Sequence, residues 1–174
     1  MDDHTLVIEC IKGNPKAQKA LFDRFAPKMY SVCLRYMKKT EPAEDVLQDA
    51  LVKVFSKLSD YKNEGVLEGW IRRIVVNTCL DQLRKNAKFL GDIQAEEVEY
   101  KLENQSFIAE KLMAEDLMKL VQQMPDGYRV VFNMFAIEGF SHQEIAEKLG
   151  VTESTSKSQY LRARAYLRDR IEKR

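Results

Sequence analysis

Between Ser154 and Arg168 the chain places short hydroxyl side chains and cations at helical spacing. Ser154, Ser158, Leu161 and Arg162 fall on one side of such a helix, with Lys157, Arg164 and Arg168 flanking one edge. Ser156, Tyr160, Ala163 and Leu167 fall on the other side, which reads as the inward one. Short polar residues let a helix enter a major groove, where Arg and Lys read guanine O6 and N7 or hold phosphate. The chemistry on offer is recognition of DNA. A merely solvated basic face is the plainer alternative.

The residues upstream supply a frame that argues against the plain alternative. Ser141 followed by Glu144 is a capping box, in which each side chain satisfies the other's free backbone N–H at a helix start. Ile145, Ala146 and Leu149 form one apolar edge, and Gly150 sits where a left-handed terminating residue is needed. Thr152 can cap the next helix. Helix, glycine turn and second helix make a helix-turn-helix. Capping box, turn glycine and basic second helix together favour DNA.

Composition limits the rest. A chain of 174 residues holds one domain or two small ones, and 45% hydrophobic with 32% charged residues suits a soluble, helix-rich protein. Lys and Arg total 28 against 27 Asp and Glu, a net charge of +1. Non-specific DNA affinity comes mainly from phosphate neutralisation, so a partner is expected to supply most of the grip. Cys10, Cys33 and Cys79 are odd in number and scattered, which suggests neither a disulfide framework nor a metal site. Cys33 and Cys79 lie in apolar periodic stretches and are expected to be buried thiols. No apolar run reaches membrane-spanning length, and the acidic start lacks a secretory pattern, so a cytoplasmic location is expected. His4 and His142 are far apart and have no nucleophile or metal partner nearby; no enzyme, metal or cofactor is expected, and His142 reads as a surface residue.

The remaining chain reads as all-α. Asn14-Pro15 is an N-cap followed by proline at the first helical position. Leu21, Phe22, Phe25, Met29, Val32, Cys33 and Tyr36 then recur at helix period, with Pro27 expected to kink or split the helix. A second helix starts near Thr40 to Pro42. Val46, Leu47, Ala50, Leu51, Val54, Phe55 and Leu58 give it an apolar stripe, opposite Glu44, Asp45, Gln48, Asp49 and Lys53. Ser59 to Gly69 is a loop. A third helix follows, with Trp70, Ile71, Ile74, Val75, Thr78 and Leu83 inward and Arg72, Arg73, Asn77, Arg84 and Lys85 able to face out. From Ala87 to Ser106 the composition shifts: "GDIQAEEVEYKLEN" is acidic, with Asp92, Glu96, Glu97, Glu99 and Glu103 against Lys101, and the stretch reads as a linker with room for a little helix. A second helical domain begins near Phe107 and continues through Leu112, Met113, Leu117, Leu120 and Val121, a turn at "MPDGYR", and a helix ending at Gly139.

Three stretches resemble, in order, a bacterial sigma-70-family transcription initiation factor of the extracytoplasmic-function subgroup. They are "AEDVLQDALVKVFSKL", "WIRRIVVNTCLDQLRK" and the segment from Met124 to Leu167. The second fits the family's Trp-x-x-x-Ile-x-x-Asn-x-x-x-Asp-x-x-Arg pattern at Trp70, Ile74, Asn77, Asp81 and Arg84. The resemblance implies two small helical domains, residues 1–86 and 107–174, joined by the acidic linker 87–106. The first would bind core RNA polymerase and melt the −10 promoter element. The second would read the −35 element, and the polymerase would supply the chemistry. Many such proteins are held by an anti-sigma factor.

The resemblance assigns Asp45, Gln48, Asp49 and Lys53 to core polymerase. It gives Tyr61 or Asn63 to an unpaired base of the −10 element, and Asn77 and Arg84 to the strand or backbone beside it. Ser154, Lys157, Ser158, Gln159 and Arg162 would contact −35 bases or backbone; Arg164 and Arg168 suit phosphate. Trp70 reads as core and Asp81 as structural. Ser156 stands where the family usually has an aliphatic residue. Elements about 17 base pairs apart are separated by ~58 Å, which a tether of about twenty residues can span, reaching ~65 Å extended. An acidic tether suits the positively charged polymerase channel better than DNA. Two other readings remain: a stand-alone dimeric helix-turn-helix regulator, which leaves the Asn77 and Arg84 helix unexplained, and a helical adaptor that binds no DNA.

Overall fold

The computed structural model describes residues 1–94 and 114–173. These residues are all-α and form two compact units, Met1–Gln82 and Leu83–Arg174. Glu96, Glu97, Glu99, Lys101 and Glu103, and the expected helix start from Phe107 through Met113, lie outside the described residues.

The first unit is built from α1 (Asp3–Ile11), α2 (Pro15–Met37), α3 (Thr40–Lys57), a short helical turn (Leu58–Asp60) and α4 (Leu67–Arg84), whose last turn crosses the unit boundary. Asp2 caps α1 by accepting from Thr5 N at 2.9 Å, and Asn14 caps α2 by accepting from Lys16 N at 3.0 Å. Of the kink or split expected at Pro27, the split does not occur: α2 runs through it as one helix. Proline removes one backbone donor. Here Phe25, Ala26 and Met29, buried on either side of it, hold the helix in the core. Helices α1 and α3 pack on α2. The start of α4 is tied to α2 by Lys28 Nζ and Glu68 Oε2 at 2.8 Å, and its middle meets α2 where Cys79 Sγ lies 3.9 Å from Cys33 Sγ. All three cysteines are free and buried, as expected for Cys33 and Cys79.

The second unit contains α5 (Ala87–Gln94), α6 (Ala114–Gln123), α7 (Asp126–Phe132), a π-helical turn (Asn133–Ile137), α8 (His142–Leu149) and α9 (Glu153–Glu172). Leu120, Val121, Met124, Phe132, Ala163 and Leu167 form its core. Arg129, almost fully buried, pairs with Asp126 Oδ1 at 2.7 Å and donates to Met124 O at 3.3 Å, fixing the turn between α6 and α7. The expected linker thus opens with an ordered helix. α5 starts where Asn86 Oδ1 accepts from Phe89 N, and it packs on α7 and α9 through buried Phe89 and Ile93. No helix among the described residues is long and apolar enough to cross a membrane.

Candidate nucleic-acid interface

The helix-turn-helix forms with the expected local chemistry. Ser141 Oγ accepts from Glu144 N at 3.1 Å and donates to Glu144 Oε1, so the box closes between side chains. Gly150 adopts φ 70°, ψ 35°, the left-handed conformation that glycine takes without strain, and its N–H donates to Ala146 O. Thr152 Oγ1 accepts from Thr155 N at 3.1 Å and starts α9. Both helices are therefore fixed at the turn, which gives the first residues of α9 a rigid mount.

The two helices are also joined further along. His142 Nδ1 lies 2.8 Å from Ser156 Oγ. The His142 ring stacks on Phe135 with centroids 4.3 Å apart, and Tyr160 leans on both rings. His142 is half-buried, which corrects its reading as a surface residue. Burial, helped by the Lys157 charge, holds its imidazole below the usual histidine range, and Glu153 acts the other way. Ser156, where the resemblance calls for an aliphatic side chain, gains a polar partner instead.

Along α9, Ser154 and Lys157 are exposed, Ser158, Leu161, Arg164 and Arg168 are half-buried, and Ser156, Ala163 and Leu167 are buried. Lys157 Nζ pairs with Glu153 Oε1 at 3.3 Å, and Arg164 lies over the Tyr160 ring. Arg162, expected on the open side, is instead 8% exposed, and Gln159 is 1% exposed. The reason is geometric. Thr155, Gln159 and Arg162 follow one another at helical spacing, and this flank is covered where α5 and α7 pack on α9. Gln159 Nε2 donates to Ile93 O at 2.9 Å, and its amide fits over Gly127, where an added Cβ would meet Oε1 at 3.0 Å.

In the first unit, α3 brings Asp45, Gln48, Asp49 and Lys53 onto one exposed face. Val52 stands among them, 65% exposed; its spacing from Gln48 and Asp49 already places it on this face, but a lone valine among polar residues gives no chemistry to single it out. The loop Tyr61–Val66 is shaped by left-handed backbone at Asn63 (φ 60°) and Gly65 (φ 83°), which Asn and Gly tolerate best. Tyr61 Oη donates to Gly65 O at 2.9 Å, and its ring leans on Trp70 at 5.5 Å. Tyr61 and Trp70 are half-buried; exposed Asn63 hydrogen-bonds His4 Nδ1. On α4, half-buried Asn77 and exposed Arg84 lie two turns apart on one side, with Asp81, also half-buried, between them.

Comparison with known proteins agrees with this layout. Residues 21–89 match the family profile "Sigma-70 region 2", and residues 114–167 match "Sigma-70, region 4". The chain is 30% identical over 165 residues to the ECF RNA polymerase sigma factor SigM of Mycobacterium tuberculosis, covering 95% of this chain and 82% of that relative. It is 26% identical over 183 residues to the ECF RNA polymerase sigma-E factor of Escherichia coli K12, covering 99% and 95%. Its fold resembles that of CnrH, solved in complex with the cytosolic domain of CnrY, with a TM-score of 0.52, 21% identity and 98% and 97% coverage.

Proposed function

This chain belongs to the ECF RNA polymerase sigma factors of the sigma-70 family, and on that premise we propose that it binds core RNA polymerase and directs it to promoters, where the −10 element is melted and transcription begins. The observation that carries this reading is the pairing of an exposed polar face on α3 with a capped, rigid α9 presenting Ser154 and Lys157, each inside the region matched to its own family profile.

Each part has a physical task. Asp45, Gln48, Asp49 and Lys53, with Val52 as an apolar centre, form the surface that meets core polymerase. The Tyr61 ring and Asn63 amide hold a base taken out of the stack; an aromatic face and an amide edge suit that purpose. Asn77 and Arg84 follow the neighbouring strand. The N-terminal turns of α9 enter the major groove with Ser154 and Ser158, while Lys157, Arg164 and Arg168 hold phosphate. Gln159 and Arg162 belong to the same surface once their flank is uncovered. His142 positions α9 through Ser156. Function divides as residues 1–86, tether 87–106 and residues 107–174, with α5 the ordered start of the tether. The chain makes no bond itself, works in the cytoplasm beside polymerase and DNA, and is open to restraint by an anti-sigma factor.

Footprinting tests the reading. With core polymerase, the chain should protect two separate DNA segments and expose unpaired thymines in the downstream one. Tight, specific protection of a single palindromic site by the chain alone would favour a stand-alone regulator instead.

A further inference from the structure

Helix α5 has so far only a tethering task, and it sits on residues that DNA should need. It is only eight residues long. A helix of that length is marginal in water on its own, so its order depends on what it packs against. Phe89 and Ile93 are 2% and 0% exposed, and α5 meets both α7 and α9. Its last turn delivers the Ile93 carbonyl to Gln159 Nε2 at 2.9 Å, inside the buried flank of α9. Gln94 lines a cleft with Gly150, Val151, Thr152 and Thr155, so the end of α5 reaches the turn and the first residues of α9. Arg162, one turn beyond Gln159, is buried on the same flank.

We propose that α5 is a built-in cover of the −35-reading helix, which competes with promoter DNA for the Thr155–Gln159 flank. This rests on the promoter reading above. The bond between Gln159 and α5 satisfies only half of the amide, because Gln159 Oε1 finds no hydrogen-bond partner among the described residues. A buried amide left half-satisfied is a contact that another partner can replace. Adenine N6–H donates and its N7 accepts, so one adenine edge satisfies both Oε1 and Nε2 of a glutamine amide, a complement that the single Ile93 carbonyl lacks. Release of α5 costs its helix and the burial of Phe89 and Ile93. The free chain is therefore mostly in the covered state, and its apparent DNA affinity is reduced by the small uncovered fraction. Docking of the chain on polymerase, which raises the local DNA concentration, then favours the open state.

The test uses the full-length chain and DNA carrying the −35 element chosen by the holoenzyme. Ile93→Asn removes an apolar anchor without adding charge. By fluorescence anisotropy it should bind that DNA about tenfold more tightly than wild type, with little change on scrambled DNA. Equal or weaker specific binding by a variant whose residues 114–173 keep their wild-type hydrogen-exchange protection would overturn the cover. Hydrogen exchange on the wild-type holoenzyme gives a second arm that needs no substitution. Amides of residues 89–94 should exchange faster when promoter DNA is added, and unchanged or slower exchange would overturn it. If neither wild-type nor variant holoenzyme selects any −35 sequence, the promoter reading fails and the cover fails with it. Selection with slow, DNA-insensitive exchange sinks the cover alone.

Discussion

His142 Nδ1 and Ser156 Oγ, 2.8 Å apart, tie the first helix of the helix-turn-helix to the inward face of the reading helix. The imidazole is held below the usual histidine range by burial and by Lys157. The folded chain therefore takes up this proton less readily than the unfolded one. The stability it carries is complete above the unfolded value of about 6.5, is lost as pH falls from there toward the lower folded value, and levels off beneath it. Melting temperature should drop across that window. His142→Phe keeps a ring against Phe135 and should remove that part of the slope; an unaltered slope would show that another group sets it.

Val52 is an apolar side chain standing in water among Asp45, Gln48, Asp49 and Lys53. Val52→Asp should leave the melting temperature nearly unchanged, since nothing buried is disturbed. It should weaken association with core polymerase about tenfold or more, as loss of a central apolar contact does. Titration of labelled chain against core polymerase reads this directly.

The Tyr61 ring leans on Trp70 while its hydroxyl holds the Gly65 carbonyl, so one side chain shapes the loop and offers a stacking face. Stacking an unpaired base on an aromatic ring contributes about 1–3 kcal/mol. Tyr61→Ala should lower the open-complex population by a corresponding factor, read as permanganate reactivity of unpaired thymines. Tyr61→Phe should retain most of it, with −35 binding unaffected in both.

Lys157 is exposed near the start of α9, whereas Gln159 is buried two residues later. Lys157→Ala should weaken DNA binding by the holoenzyme about equally on all sequences and flatten the log–log salt slope by about 1. A change in sequence preference with an unaltered slope would assign Lys157 to a base instead.

Much of this was legible because the signals are local. Ser141, Gly150 and Thr152 act on their own backbone within a few residues, so the helix-turn-helix could be read off the chain, as could the stripe of Val46, Ala50, Leu51 and Val54. What escaped depends on tertiary contact. α1 is nine residues long, and its buried Leu6, Val7 and Cys10 make too short a pattern to separate from a loop. The linker stretch leaves room for a little helix, but only the docking of α5 reveals that Phe89 and Ile93 are core. Arg162 lies near the edge of the helical wheel, so its burial turns on which flank another helix covers. Pro27 does not split α2 for the opposite reason, because surrounding packing outweighs one missing hydrogen bond.

The central claim is that this chain gives core polymerase its choice of start sites. Transcription of a random promoter library by core polymerase, with and without the full chain, measures that choice. The account predicts that adding the chain concentrates transcripts on templates sharing two conserved elements, with start sites at a fixed distance from the downstream one. Transcript start sites that are the same with and without the chain would contradict it.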